Sequence, residues 1–134
     1  MIMDRNKDLG ILILRLSIGV MMLLHGIAKL QGGIGPVQGM LEAKSLPAFI
    51  AYGVYIGEIL APLLLILGAR TRLAALLFVF NCIAIIWLGG HPVFSLNQYG
   101  GWGAELPGLF LFGALALFFT GGGKYAVSTK NKWD

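Results

Sequence analysis

Charged side chains are scarce in this sequence: only 12% of its 134 residues are Asp, Glu, Lys or Arg, whereas 57% are hydrophobic. A soluble domain of this size carries roughly twice that charged fraction. Polar faces repeating every three to four residues are also missing, since Asn81 is the one strongly polar residue between Leu73 and Leu88. These two absences argue against a soluble helical bundle and favour a membrane protein.

Cysteine is nearly absent as well. Cys82 stands alone, which excludes an intramolecular disulfide, a Cys-x-x-Cys redox couple and a cysteine-based zinc site within one chain. The glycine-rich stretches at 32–35, 100–103 and 121–123 do not follow a strand and open a helix, as a phosphate-binding loop requires. They lie where helices are expected to turn or stop. The sequence therefore predicts neither a cysteine-based metal site nor a nucleotide site.

Long apolar runs fill most of the chain. Each is close to the roughly 17–25 residues that a helix needs to cross a bilayer core. The runs cover residues 9–30, 48–68, 73–90 and 104–120. The connections between them are too short for a second folded domain. We therefore predict an all-α integral membrane bundle of four transmembrane helices, forming a single domain over residues 1–134.

Basic residues are distributed unevenly among the connections, and short cytoplasmic loops of membrane proteins accumulate such residues. Seven lie before the first run, between the second and third, or after the fourth: Arg5, Lys7, Arg70, Arg72, Lys124, Lys130 and Lys132. The other side has only Lys44 and the span-end Lys29. We expect both termini in the cytoplasm and loops 31–47 and 89–103 outside. Attraction to anionic lipid then explains the net charge of +4 without nucleic acid.

The two external loops have features of their own. In the first, residues 36–45 are expected to form a short helix in the membrane interface, with Met40, Leu41 and Leu46 facing lipid. The second carries Phe94, Tyr99 and Trp102, aromatic residues that suit the headgroup region. Both features fit membrane anchoring, and a lid over a site is the alternative.

Ionisable residues inside the runs are costly in hydrocarbon unless they have a partner or a task. Arg15, Lys29 and His25 share one face of the first helix with two glycines, which predicts that this face looks into the bundle. On the second helix Glu58 lies one turn from Tyr55. Counting residues from the helix ends places Arg15 and Glu58 at similar depth, so we expect them to pair, either structurally or as part of a site.

A second polar group is expected at the external end of the bundle. His25 and Lys29 approach that end of the first helix, His91 follows the third, and Glu105 begins the fourth. Two imidazoles, an ammonium and a carboxylate could hold and protonate a quinone head group, with Arg15 and Glu58 at the bottom of the pocket that receives it. They could also be the polar rim of any bundle that meets water. Axial ligation of haem or a metal by the two histidines remains a third interpretation.

Ordered motifs in the chain resemble the DoxX family of small membrane proteins. The segments that carry this resemblance are Leu14-Arg15-Leu16 with Gly19, His25-Gly26-Ile27-Ala28-Lys29-Leu30, Ser45-Leu46-Pro47, Gly57-Glu58 and residues 67–75. Glu105 and Gly121-Gly122-Gly123-Lys124-Tyr125 look like the family's acidic residue and its terminal glycine and tyrosine turn. After this turn the family often continues with a serine, an apolar residue and an aspartate, whereas this chain has Ala126, Val127 and Ser128.

The resemblance implies a four-helix, multi-pass protein of a prokaryotic inner membrane, in a family that includes a subunit of thiosulfate:quinone oxidoreductase. It does not by itself transfer that activity. Our first interpretation is a membrane-embedded redox subunit that binds a quinone or similar lipophilic redox molecule in an outward-facing pocket and acts with a partner. The alternative is a non-catalytic scaffold or small-molecule conduit whose buried charges only hold the bundle together.

Overall fold

All regular secondary structure in the described part of the chain is helical. The computed structural model describes residues 5–134. Its α-helices are α1 (Lys7–Gly32), α2 (Gly35–Ala43), α3 (Ala61–Leu67), α4 (Thr71–Leu88) and α5 (Glu105–Thr120). A 3-10 helix at Ala48–Gly53 and a π-helical turn at Ile56–Leu60 precede α3, and together with it they form a composite helix, Ala48–Leu67. The predicted all-α architecture is confirmed.

Three of these helices are long and apolar enough to cross a membrane: α1, the composite helix and α4. The fourth predicted span, α5, is an apolar helix of 16 residues. At 1.5 Å per residue it is about 24 Å long, somewhat shorter than a bilayer core of about 30 Å. Large apolar side chains on the outer faces, such as Leu24, Phe112 and Phe119, are exposed. Such a surface suits lipid, so the helices are those of a multi-pass membrane protein.

The helices pack closely because small residues lie between them. Gly19 on α1 faces Pro62 and Ile66, and a Cβ added at Gly19 would lie 2.8 Å from the Ile66 side chain. Gly26 meets the backbone of Glu58 so closely that a Cβ there would overlap its carbonyl oxygen. Small residues at these points let helix backbones approach each other. The predicted inward face of α1 is therefore correct for Arg15, Gly19 and Gly26, all of which are buried. Of the other two residues placed on that face, Lys29 is partly exposed and His25 is exposed.

A proline explains the π-helical turn in the composite helix. Pro62 has no backbone N–H, so the carbonyl of Glu58 cannot accept the usual bond from four residues ahead. The chain accommodates this with a wider turn, in which the N–H of Ala61 donates to the carbonyl of Ile56. Both Gly57 and Glu58 are buried in this turn. The turn therefore points a carboxylate into the bundle next to a glycine.

The short helix predicted over residues 36–45 is present as α2, but its apolar contacts differ from the prediction. Met40, Leu41 and Leu46 were expected to face lipid, whereas Leu41 is buried in a small second core, Leu46 packs against that core, and Met40 lines a cavity between the helices. This happens because α2 folds back over the start of the composite helix, so the bundle itself covers its apolar face. Helix α2 is thus part of the packed structure rather than a helix lying free in the interface.

The final residues, 121–134, fold over the turn between α3 and α4. Backbone N–H groups of Val127 and Ser128 donate to the carbonyls of Leu67 and Gly68, each at 3.2 Å. Arg70 Nη1 donates to Asp134 Oδ1 at 2.9 Å. These bonds close the end of the bundle opposite α2.

The contacts between Gly26 and Glu58 allow a matched test of helix packing. Replacing Gly26 by Ala should lower the free energy of unfolding by about 1–3 kcal/mol, because the added methyl group forces two backbones apart. Gly10 is on the same helix with nothing within 4 Å of an added Cβ. Gly10→Ala should be neutral or stabilising by up to about 1 kcal/mol. Thermal or denaturant unfolding in detergent would measure both, and equal effects would contradict the packing described here.

The bonds made by the Asp134 carboxylate should make the stability of the segment 121–134 depend on pH. The Ser128 hydroxyl, the Asn131 N–H and the Arg70 guanidinium bond to it and lower the pKa of Asp134 to about 2 from its ordinary 3.8. A lowered folded-state pKa stabilises the fold above the unfolded pKa, and this stability is lost as pH falls toward the folded value. From pH 4 to 2 the stability advantage of the parent over Asp134→Asn should shrink. A constant difference in melting temperature across that range would show that the carboxylate does not hold the segment.

Candidate functional site

A cavity of about 560 Å³ lies at the α2 end of the bundle. Residues of α1, α2, the composite helix, α4 and the start of α5 line it, and most of them are apolar. Its size is within the range of small-molecule sites, which are mainly hydrophobic with a few polar groups that fix orientation. The ionisable and amide side chains in the lining are His25, Lys29, Glu58, Asn81 and His91.

Helix periodicity brings these side chains to the cavity. On α1, His25 and Lys29 are four residues apart and share one face. On α4, Leu77, Asn81 and Ala84 follow the same rule, while His91 comes from the chain just past Gly89. The π-helical turn contributes Glu58. Three separate helical elements therefore place polar groups around one apolar space.

An ion pair joins two of these elements. Lys29 Nζ on α1 lies 2.5 Å from Glu58 Oε1 on the composite helix. The Glu58 side chain is almost completely buried, whereas that of Lys29 is 28% exposed. A buried carboxylate is costly without a cation or donors nearby, so the pair lowers the cost of placing Glu58 here.

This pairing corrects the predicted Arg15–Glu58 pair. Arg15 Nη1 instead donates to the carbonyls of Leu65, at 3.0 Å, and Ile66, at 3.3 Å. The prediction assumed that the first two helices end at the same level. In the structure α1 starts at Lys7, and Gly26 rather than Arg15 is level with Glu58. Eleven residues of helix, about 16 Å, separate these two levels.

Two polar atoms in the cavity wall have no hydrogen-bond partner. Glu58 Oε2 and Asn81 Nδ2 are both buried and unpaired. They come from neighbouring positions, since Asn81 packs directly against Gly57. Buried polar groups in proteins are nearly always satisfied, so such atoms call for an explanation. Here both belong to residues that line the cavity, and a ligand with polar groups would satisfy them.

Asn81 was not among the predicted site residues. The signal was present in the sequence, because Asn81 is the single strongly polar side chain in an otherwise apolar span. A polar residue within a membrane segment is by default a candidate for function. Only its position opposite Gly57 shows that it belongs with Glu58.

The remaining candidates divide between the cavity and other places. His25 lies at the edge of the cavity, where its ring packs edge-on against Phe110 with centroids 6.4 Å apart. Tyr55 packs against the second core, formed around Leu41, and is not a lining residue. Glu105 is exposed at the first turn of α5 and also lies outside the lining. The structure therefore brings His25, Lys29, Glu58 and His91 together, and separates Arg15, Tyr55 and Glu105 from them.

These features define a class: a multi-pass membrane protein with an apolar cavity, whose wall contains a buried carboxylate oxygen and an amide nitrogen without hydrogen-bond partners. The chain belongs to the DoxX family, whose model matches residues 10–91. All five polar residues of the cavity wall fall within that match.

Curated relatives agree with the family assignment. The chain is 32% identical over 120 residues to "Putative oxidoreductase CatD" of Bacillus subtilis, covering 89% of this chain and 84% of that protein. It is 30% identical over 82 residues to "Inner membrane protein YphA" of Escherichia coli, covering 60% of this chain and 59% of that protein. No solved structure gives a significant match.

The Lys29–Glu58 pair can be tested by a double-mutant cycle. Lys29→Met should destabilise the protein by about 2 kcal/mol or more, because it leaves a buried carboxylate without its cation. Adding Glu58→Gln should recover part of this loss, giving a coupling of about 1 kcal/mol or more. Unfolding in detergent would measure each variant.

A second double-mutant cycle, between Arg15 and Glu58, is the control for the Lys29–Glu58 cycle. Because Arg15 is about 16 Å along the helix from the level of Glu58, Arg15→Met and Glu58→Gln should be additive within about 0.5 kcal/mol. Strong coupling of Glu58 to Arg15, with none to Lys29, would contradict the ion pairing described here.

Proposed function

We propose that this protein is a membrane-embedded subunit of a prokaryotic redox system, which binds a quinone or similar lipophilic redox molecule in the cavity and acts with a partner. The observation that carries the proposal is the pair of unpaired buried atoms, Glu58 Oε2 and Asn81 Nδ2, in a largely apolar cavity. A ring with a hydroxyl substituent could donate to Glu58 Oε2 and accept from Asn81 Nδ2, while the apolar walls would cover the ring.

The cavity also suits a ligand that arrives through the bilayer. Several of its lining residues lie on the outer, apolar surface of the helices, including Ile56, Phe80 and Leu106, which are 49%, 60% and 59% exposed. The space between the helices is therefore continuous with a surface suited to lipid. A hydrophobic tail could remain among these residues while the polar head group lies beside Glu58.

Groups that handle protons stand beside the same space. His25 and His91 both line the cavity, and imidazole is the side chain whose ordinary titration lies closest to neutral pH. A two-electron redox ligand of this type exchanges protons as well as electrons. These histidines could carry protons between the cavity and the α2 end of the bundle.

A partner is part of the proposal because the chain has no electron carrier of its own in its sequence. There is no flavin or nicotinamide fingerprint, and its one cysteine, Cys82, is buried. The name of the Bacillus relative, a putative oxidoreductase, fits a redox role. The name of the Escherichia relative fits the inner membrane.

We further propose four spans, with both termini in the cytoplasm. The basic residues support this orientation, since they concentrate at the end opposite α2. The cavity would then face outward. A partner on that side would meet the exposed aromatic side chains of Phe94 and Tyr99.

A cavity-filling variant tests the proposal without altering any polar group. Ala84 lines the cavity from α4, whereas Ala116 is exposed on α5 and is not a lining residue. Ala84→Leu should weaken binding of a short-chain quinone analogue by about tenfold or more, equivalent to about 1.4 kcal/mol. Ala116→Leu should bind as the parent does. Titration of purified protein in detergent, followed by the change in ligand absorbance or protein fluorescence, would measure both.

Absence of binding to the parent would favour the alternative, a scaffold whose Lys29–Glu58 pair only connects two helices. Equal binding by the parent and Ala84→Leu would place the ligand elsewhere on the protein.

A further inference from the structure

The two oxygens of Glu58 have different surroundings. Oε1 is engaged by Lys29 Nζ at 2.5 Å, whereas Oε2 is buried without a partner. A carboxylate oxygen that is paired with an ammonium can accept hydrogen bonds but has no proton to donate. Any group that binds beside Oε2 must therefore bring a hydrogen-bond donor.

The other polar groups in the cavity are less selective. The Asn81 amide carries both a donor and an acceptor, and a 180° rotation of the amide exchanges their positions. A histidine ring in its neutral form likewise offers one donor and one acceptor, which applies to His25 and His91. Lys29 offers only donors: Glu58 engages one of its three N–H groups, and both a carbonyl and a hydroxyl oxygen of the ligand could accept from the others. Glu58 Oε2 is thus the lining atom that sets a fixed requirement on the ligand.

This requirement separates the two forms of a quinone-type ligand. The oxidised form presents carbonyl oxygens, which only accept hydrogen bonds. A carbonyl oxygen beside Glu58 Oε2 would therefore place two electron-rich oxygens against each other. The reduced form presents hydroxyl groups, which can donate to Oε2 and still accept from Asn81. Leaving a buried charged acceptor without a donor is costly, and a hydrogen bond to a charged group is among the stronger ones.

We propose that the cavity binds the reduced, hydroxyl-bearing form of its aromatic redox ligand in preference to the oxidised, carbonyl-bearing form, with Glu58 as the specificity-determining residue. This inference rests on the proposed function and deepens it. A preference for the reduced form means that the bound couple is more easily reduced than the free one. A tenfold preference would raise its two-electron midpoint potential by about 30 mV.

The experiment compares affinities for the two forms of one probe, a short-chain quinone and its quinol, titrated anaerobically into the purified full chain. The parent should bind the quinol about tenfold or more tightly. Glu58→Gln replaces the acceptor-only oxygen by an amide that can also donate, so the preference should disappear or reverse in favour of the quinone. The midpoint potential of the bound probe should shift back with it.

Glu105→Gln is the matched control, because it makes the same change from acid to amide at the α2 end but outside the cavity lining. It should keep the preference of the parent.

Each result has a distinct meaning. Equal affinity of the parent for the two forms would overturn this inference and leave the proposed function standing. No binding of either form would overturn the proposed function, and this inference with it. A preference that survives in Glu58→Gln would show that Glu58 does not determine it. If Glu58→Gln does not fold, the affinity ratio and potential shift measured for the parent alone still decide whether the reduced form is preferred.

Discussion

A carboxylate among apolar helices is stable only where a cation or hydrogen-bond donors surround it, and the architecture around Glu58 depends on that constraint. Lys29 supplies the cation from α1. The pair can form because Gly26 lets α1 approach the carbonyl of Glu58. The π-helical turn that buries Glu58 follows from Pro62, whose missing N–H widens the helix at this position. Proline, glycine, lysine and glutamate thus act together to hold a charge at the edge of a cavity.

The same arrangement leaves the carboxylate incompletely satisfied. A site that served only to connect two helices would be expected to use both oxygens of Glu58, yet Oε2 and the nearby Asn81 Nδ2 remain free. Unpaired polar groups in an otherwise well-packed interior are typical of places where a ligand completes the hydrogen bonding. The opposite end also has unpaired buried atoms, Arg15 Nε, Arg15 Nη2 and Thr71 Oγ1, although Arg15 Nη1 donates to backbone carbonyls. Neither Arg15 nor Thr71 lines the cavity, so it is the cavity, together with its unpaired atoms, that distinguishes the α2 end as the candidate binding site.

The sequence predicted the helices well because the length of an apolar run is a strong signal, and all four runs are helical. It also predicted the inward position of Arg15, Gly19 and Gly26 on α1, but His25, assigned to the same face, is exposed. It was wrong about the partner of Glu58, because counting residues from assumed helix ends cannot detect an offset between two helices. It was wrong about Met40, Leu41 and Leu46, because whether an apolar face meets lipid or protein depends on how α2 folds back. Asn81 was visible as a lone polar residue, but its contact with Gly57 required the three-dimensional structure.

The central claim is that the cavity beside Glu58 and Asn81 holds a lipophilic redox molecule. Mass spectrometry of protein extracted gently from its native membrane tests this most directly, with the double variant Glu58→Leu, Asn81→Leu as the comparison. The account predicts that the parent retains a quinone-type molecule in near-stoichiometric amount and that the folded double variant does not. A parent that retains only phospholipid, or a double variant that retains as much of the redox molecule as the parent, would contradict it.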